Sequence, residues 1–432
     1  MATNSTASNV LRAVVVVAVA AALSGCWLQP GVGADRRNWK PTEPTLTAET
    51  AAGLEPVWSS PVIDGGAPDF DALAPVVVGD AVFASSTAST DWGVIGAVRL
   101  DAATGEADWT GAATLCCLDS GVTPSAQSPV YQAGKLLLPF TFDGGQAGSR
   151  IAVLDVGTGG QLPGIGYEAP CPQTVCRADS HQLTVDGDRR MWATVVGSSS
   201  GGNPPVTHSE ISGLSYTPGL VLGEGGAFAL AIDGTERVAW QVGTTMLGYA
   251  PGCRPSPILP RVCEPDWTAS IGATVGAPAI SGESVVFSAG DGTVRVLDLA
   301  TGAERWRGDA GVSTELGPVV TDDEVIIAGG GTVVAFPVDG CGTAVCEPLW
   351  TGQTGATGVA TTPAAAGDVV YVATTGGGIV AFGAHGCGAP TCSPLVTLPT
   401  AAEVTGGPVI DGGRVFAGLE NAEVVAFGLP SP

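Results

Sequence analysis

Along the last third of the chain, short runs of β-branched and aromatic residues alternate with small or polar ones, and a glycine-containing pair separates each run from the next. The unit reads PAISGESVVFSAGDGTVRVLDL from Pro278, PVVTDDEVIIAGGGTVVAFPV from Pro318, PAAAGDVVYVATTGGGIVAFGA from Pro363 and PVIDGGRVFAGLENAEVVAFGL from Pro408. Looser copies start at Pro75, Pro129, Gln182 and Ala229, so eight starts follow one another at intervals of 40 to 54 residues. Period-two alternation is the mark of strands, and Asp-Gly or Gly-Asp between two such runs is the two-residue hairpin signal. The Asp-Gly pairs at Asp143, Asp186, Asp233, Asp291 and Asp411 are read as this turn chemistry. No stretch after residue 27 shows a capped helical period, so an α/β reading has no support.

Three or four short antiparallel strands per repeat of this length describe one blade of a propeller. The expected fold is all-β: an eight-bladed β-propeller of four-stranded antiparallel blades. The last copy stops after its third strand, at Phe427, while Leu54-Glu55-Pro56-Val57-Trp58 precedes the first full copy and looks like its missing fourth strand. Pairing the two closes the ring and removes two exposed edges.

Several copies finish on a tryptophan turn. Asp101 to Trp109 and Asp298 to Trp306 share the pattern D-x-x-T-G-x-x-x-W. Its glycine permits a positive φ, and its indole has a large face to pack on a neighbouring blade and one N–H to donate to a carbonyl. Trp58, Trp109, Trp267, Trp306 and Trp350 are the expected docking residues. In four copies a turn closed by two cysteines takes this place, most clearly Asp339-Gly340-Cys341 through Cys346 to Trp350. Cys387 to Cys392 is followed by Val396 where a tryptophan is expected.

The first 25 residues hold no acid and one base, Arg12, with an apolar run of 11 residues from Ala13 to Leu23. That run is too short to span about 30 Å of hydrocarbon and suits a signal peptide. It ends in Leu23-Ser24-Gly25-Cys26, which resembles a bacterial lipobox. The resemblance implies cleavage before Cys26 and acylation of Cys26, palmitate included. The expected domains are therefore a removed signal peptide over 1–25, a Pro-, Gly- and Thr-rich lipid-anchored tether over 26–50, and the propeller over 51–432. The chain is placed at the extracytoplasmic face of a cell membrane.

Export changes how the other ten cysteines read, because an even number in an oxidising compartment points to disulfides. Four pairs are local: Cys171–Cys176, Cys253–Cys263, Cys341–Cys346 and Cys387–Cys392, and Cys116 and Cys117 remain. Recurrence at one position in the repeat favours a structural clamp over redox chemistry. The three histidines, His181, His208 and His385, show no metal-ligand spacing. Charge removes further classes. With 41 acidic and 17 basic residues, a net charge of −24 and only two lysines, Lys40 and Lys135, the chain has nothing with which to track nucleic-acid phosphates or bind anionic lipid.

The D-x-x-T-G-x-x-x-W pattern, with the opening from Asp35 to Thr47 and Leu54 to Trp58, resembles the quinoprotein-type or PQQ-like β-propellers, over nearly all of residues 35–428. That family contains dehydrogenases and catalytically silent scaffolds, among them the propeller lipoprotein of the outer-membrane barrel-assembly machinery. In the alcohol dehydrogenases two adjacent cysteines form a disulfide ring against the quinone. By that resemblance Cys116-Cys117 reads as a vicinal disulfide; a rigid turn, or pairing of the two cysteines elsewhere, are the other readings. Those enzymes also need a Ca²⁺ held by carboxylate and amide oxygens, and an Asp base. Asn38, Asn203 and Asn421 are the asparagines left after the leader, and none stands beside an Asp as the motif requires. Asp64, Asp69 and Asp71 form an acidic loop that is the remaining calcium candidate.

Two functions from different classes follow. The favoured one is a non-catalytic, lipid-anchored binding or scaffold protein with no cofactor, no metal and no catalytic residue, meeting a protein or cell-envelope partner. The insertion from Gly197 to Leu222 is its candidate contact loop. The alternative is a PQQ- and calcium-dependent oxidoreductase acting on an alcohol or sugar.

Overall fold

The computed structural model describes residues 27–63, 70–88, 94–114, 123–143, 148–167, 176–186, 190–199, 205–212, 215–216, 220–224, 227–234, 237–242, 244–250 and 264–430. Residues 1–26, Cys26 included, lie outside the described residues, as do Asp64, Asp69, Cys116, Cys117, Cys171, Cys253 and Cys263. Among the described residues the only helical turn is Ala51–Gly53, and no helix is long and apolar enough to cross a membrane.

Among the described residues the strands gather into eight sheets of four or five strands each. In chain order these cover residues 76–114, 123–167, 176–224, 227–270, 279–309, 319–353, 364–398 and 404–428. Within a sheet, consecutive strands pair antiparallel through tight turns, as Ser284–Ser288 pairs Thr293–Asp298 and that strand pairs Glu304–Asp309. The eighth sheet is completed from the other end of the chain. Glu55–Pro61 pairs antiparallel with Glu423–Gly428, bringing Trp58 opposite Ala426.

The central strands are buried on both faces. Ser284–Ser288, Glu324–Gly329 and Val369–Ala373 are buried at every residue, because these three sheets are each covered by a neighbour on either side. The small residues that alternate with the large ones in the repeat are therefore a second packing face and not a solvent face. One shared cluster joins the first and second sheets through Phe83, Leu136 and Phe140, and another joins the fifth and sixth through Val296, Ile327 and Phe336. A third spans the seventh, eighth and first sheets through Tyr371, Phe416, Phe427, Val77 and Val98.

Residues 27–50 differ most from expectation. Read as a tether, this segment instead runs along the inner edges of the sheets and is bonded to most of them. Trp27 and Val77 of the first sheet exchange backbone hydrogen bonds of 3.1 and 2.9 Å, and Tyr131 of the second donates to the Leu28 carbonyl at 2.9 Å. Ile232, Ile280, Val320 and Ala365 then donate in turn to the carbonyls of Ala34, Asp35, Arg37 and Asn38. Trp39–Lys40 adds as a short parallel strand beside Ala364–Ala366 of the seventh sheet. A Gly- and Pro-rich composition looks like a linker, but the segment offers carbonyls to N–H groups that the first strands of these six sheets do not satisfy within their own sheets. Trp27 is 3% exposed and Leu46 fully buried, neither of which suits a solvated tether.

Candidate functional site

Five tryptophans make the same contact between consecutive sheets. The Trp58 indole N–H donates to the Ala102 carbonyl at 3.1 Å, and that of Trp109 to Val156 at 2.9 Å. Trp267 donates to Leu299 at 2.8 Å, Trp306 to Val338 at 3.2 Å, and Trp350 to Ala384 at 3.2 Å. Each acceptor belongs to the next sheet, and beneath each indole lies a glycine of that sheet's turn: Gly105, Gly159, Gly302, Gly340 and Gly386. A Cβ on any of these would stand 2.5–2.7 Å from the ring, and all five have φ near +70 to +80°.

The Asp and Thr of the motif build the receiving turn. Asp298 Oδ1 accepts from the N–H groups of Ala300 and Thr301 and from the Thr301 hydroxyl at 2.8–3.1 Å. Hydrogen bonds from Arg305 and Thr301 hold the Asp298 carboxyl down at about 2. The tryptophan that ends the motif then docks on the following sheet, so one repeat carries a receptor and a donor for different neighbours. Asp155-Val156-Gly157-Thr158-Gly159 is a third such turn, with the same Asp cap. It escapes the sequence pattern because Pro163 stands where the motif has tryptophan, although its receptor half is complete.

Cys341–Cys346 and Cys387–Cys392 are disulfide-bonded, and the turns they close follow directly on Gly340 and Gly386 of the tryptophan contacts. Each turn also pairs with the outer strand of the preceding sheet: Val345 and Cys346 align parallel with Arg307 and Gly308, and Thr391 and Cys392 with Thr351 and Gly352. The bonds are local, but the turns they hold bridge two sheets. Cys176 lies in the strand Cys176–Asp186, while its expected partner and the pairs Cys253–Cys263 and Cys116–Cys117 fall outside the described residues.

Polar groups that sequence reasoning missed concentrate on the 27–50 segment. Lys40 and Asp411 form an ion pair with both side chains largely buried, which gives Asp411 a partner beyond hairpin chemistry. Burial pushes the Asp411 carboxyl above its ordinary value despite Lys40. Arg37 donates to the Val320 carbonyl at 3.0 Å and to Asp322 at 2.9 Å, and its guanidinium stacks 4.8 Å over the Trp39 ring. The Asn38 amide donates to the Pro318 carbonyl at 2.9 Å. Arg36 Nε is buried without a hydrogen-bond partner among the described residues, and burial lowers its guanidinium to about 10. A second cluster joins Glu324, His385 and Trp350: the indole donates to Glu324 at 3.3 Å, and His385 Nδ1 lies 3.6 Å from the same carboxyl. Burial raises the Glu324 carboxyl, partly offset by Trp350 and His385.

Asp71 is the described member of the acidic loop, and burial followed by the charge of Glu420 raises its carboxyl. His181 and His208 fall in separate strands of the third sheet. The insertion 197–222 is partly described, as two-residue to ten-residue strands of that sheet. Among the described residues no group of three His, Cys, Asp or Glu is placed to hold a metal ion. Residues 27–40 take backbone groups of the first strands of the first, second and fourth to seventh sheets.

Residues 229–431 match the family model described as outer membrane protein assembly factor BamB. That match covers just under half of the chain, and the fold is that of a β-propeller. Quinohemoprotein alcohol dehydrogenase from Comamonas testosteroni superposes with a TM-score of 0.64 at 13% identity, over 94% of this chain and 82% of that one. BamB from Moraxella catarrhalis gives 0.52 at 16% identity, over 87% and 99%. A computationally designed protein, Ika8, gives 0.60 at 16% identity over the same shares. At these identities the likeness concerns the fold. No curated protein matches the chain.

Proposed function

We propose that this PQQ-like propeller is a non-catalytic scaffold of the cell envelope, anchored by acyl chains on Cys26 at the extracytoplasmic face of a membrane. In this reading it is eight-bladed and closed by Glu55–Pro61, and its partner is another envelope protein, as the assembly-factor family model suggests for the second half. The observation that carries the reading is the bonding of residues 27–40 to the first strands of six sheets, which supports a rigid frame built for contact with another protein. The tryptophan contacts and disulfide-closed turns support it as well, since they stiffen the frame without assembling an acid, a base or a nucleophile.

The test mixes purified full-length protein with pyrroloquinoline quinone and Ca²⁺, and follows bound-quinone absorbance and dye reduction with alcohols and sugars. The scaffold reading expects neither signal, and expects crosslinking in intact membranes to trap a discrete protein partner. Turnover that disappears in Cys116→Ser/Cys117→Ser would replace it with the oxidoreductase, the reading that the alcohol-dehydrogenase neighbour favours.

A further inference from the structure

We infer that the propeller sits directly on the lipid bilayer in one fixed orientation, with the face that carries the first hairpin turn of each sheet against the membrane. The inference rests on acylation of Cys26. Residue 27 follows that cysteine immediately, and Trp27 is part of the rigid body: 3% exposed, its backbone paired with Val77 in both directions. By Leu28 the chain is bonded to a second sheet through Tyr131. Successive Cα atoms are about 3.8 Å apart, so the point of acylation is held within one peptide of the first sheet. No flexible tether separates lipid from fold.

The direction of the chain selects the face. The bridge between Trp27 and Val77 is antiparallel. Val76–Val78 runs towards the Gly79–Asp80 turn, so the amino side of Trp27 points towards that same turn. The segment leaves on the same side. Trp39–Lys40 runs parallel to Ala364–Ala366 towards the turn at Gly367, Gly367 donates to the Lys40 carbonyl, and Ala48 donates to Asp368 of that turn. A Cβ on Gly413, in the corresponding turn of the eighth sheet, would meet the Thr45 side chain. Entry and exit thus share one face. The opposite face carries the turn at Glu420 between Arg414–Leu419 and Glu423–Gly428.

Charge is consistent with an anchor made by acyl chains and not by headgroup attraction. Asp80, Glu283, Asp322 and Asp323 are exposed at or beside the first turns, and they would be repelled by anionic lipid. A face so charged approaches a bilayer only because the chain behind it is too short to let it turn away.

The experiment uses the full chain with its leader, made in an acylating host, with p-benzoylphenylalanine at Asp80 or at Glu420, both exposed. After irradiation of washed membranes, lipid adducts are counted by mass spectrometry. The expected result is an adduct yield at 80 about tenfold above that at 420. Inserting about 20 Gly/Ser residues between Cys26 and Trp27, a coil of roughly 25 Å mean reach, brings the two yields within about twofold while the protein stays in the membrane. Equal yields at 80 and 420 in the uninserted, acylated chain overturn the orientation and leave the anchor standing. A chain without acyl groups on Cys26 overturns both.

Discussion

Gly302→Ala isolates the contact that joins sheet to sheet. The backbone there has φ +70°, and the added Cβ would lie 2.5 Å from Trp267 Cε3 and 2.6 Å from Cδ2, well inside any real contact. The methyl cannot move away, because it is fixed to a turn held by Asp298. The indole must lift instead, giving up its 2.8 Å hydrogen bond to the Leu299 carbonyl. Two costs add: about 1–2 kcal/mol for an L-residue in the left-handed region, and about 1–3 kcal/mol for a buried N–H left without its acceptor. The expected loss is about 3–4 kcal/mol. Gly282→Ala is the control, since it has φ +56° and nothing within 4 Å of its Cβ, and so carries only the first cost. Guanidinium unfolding of both variants, followed by tryptophan emission and compared at a common slope, reads the difference. Equal midpoints for the two would show that the indole contact contributes nothing to the joining of the sheets, and the clamp reading would fall.

Other consequences follow from the same geometry. Deleting residues 27–45 removes the bonds to the inner strand edges and should leave little folded protein, as judged by protease resistance; a deletion that folds normally would return the segment to a tether. Lys40→Ala leaves the Asp411 carboxylate buried and unpaired, at a cost of about 3–5 kcal/mol, whereas Lys40→Met with Asp411→Asn should recover most of it in thermal unfolding. Cys341→Ser/Cys346→Ser should cost roughly 2 kcal/mol and open the 340–347 turn to limited proteolysis. Because burial raises the Glu324 carboxyl, the folded chain takes up its proton at a pH where the unfolded chain does not. The Glu324 contribution therefore favours folding as pH falls through the raised value and is lost as pH rises above it. Glu324→Gln should flatten that part of the stability–pH curve, and an unchanged curve would remove Glu324 from the account.

The features legible along the chain are those with a local cause. Strand pairs, hairpin turns, the Asp-capped turn and the spacing of the repeat all depend on residues a few positions apart, and each is written as alternation, as Asp-Gly, or as D-x-x-T-G. The pairing of Cys341 with Cys346 and of Cys387 with Cys392 belongs to the same class, because a five-residue separation leaves few other partners within reach. Tertiary structure decided where those parts meet. That Trp267 rests on Gly302 and Trp58 on Gly105 depends on which sheet follows which, and nothing in the spacing of one repeat says so. The 27–50 segment is the sharper case. Its glycines and prolines carry the composition of a linker, and its hydrogen bonds are made by backbone carbonyls, which every residue possesses and no side-chain pattern reports. Lys40 finds Asp411 across 371 residues of chain, a pairing that only the arrangement of the sheets could bring about.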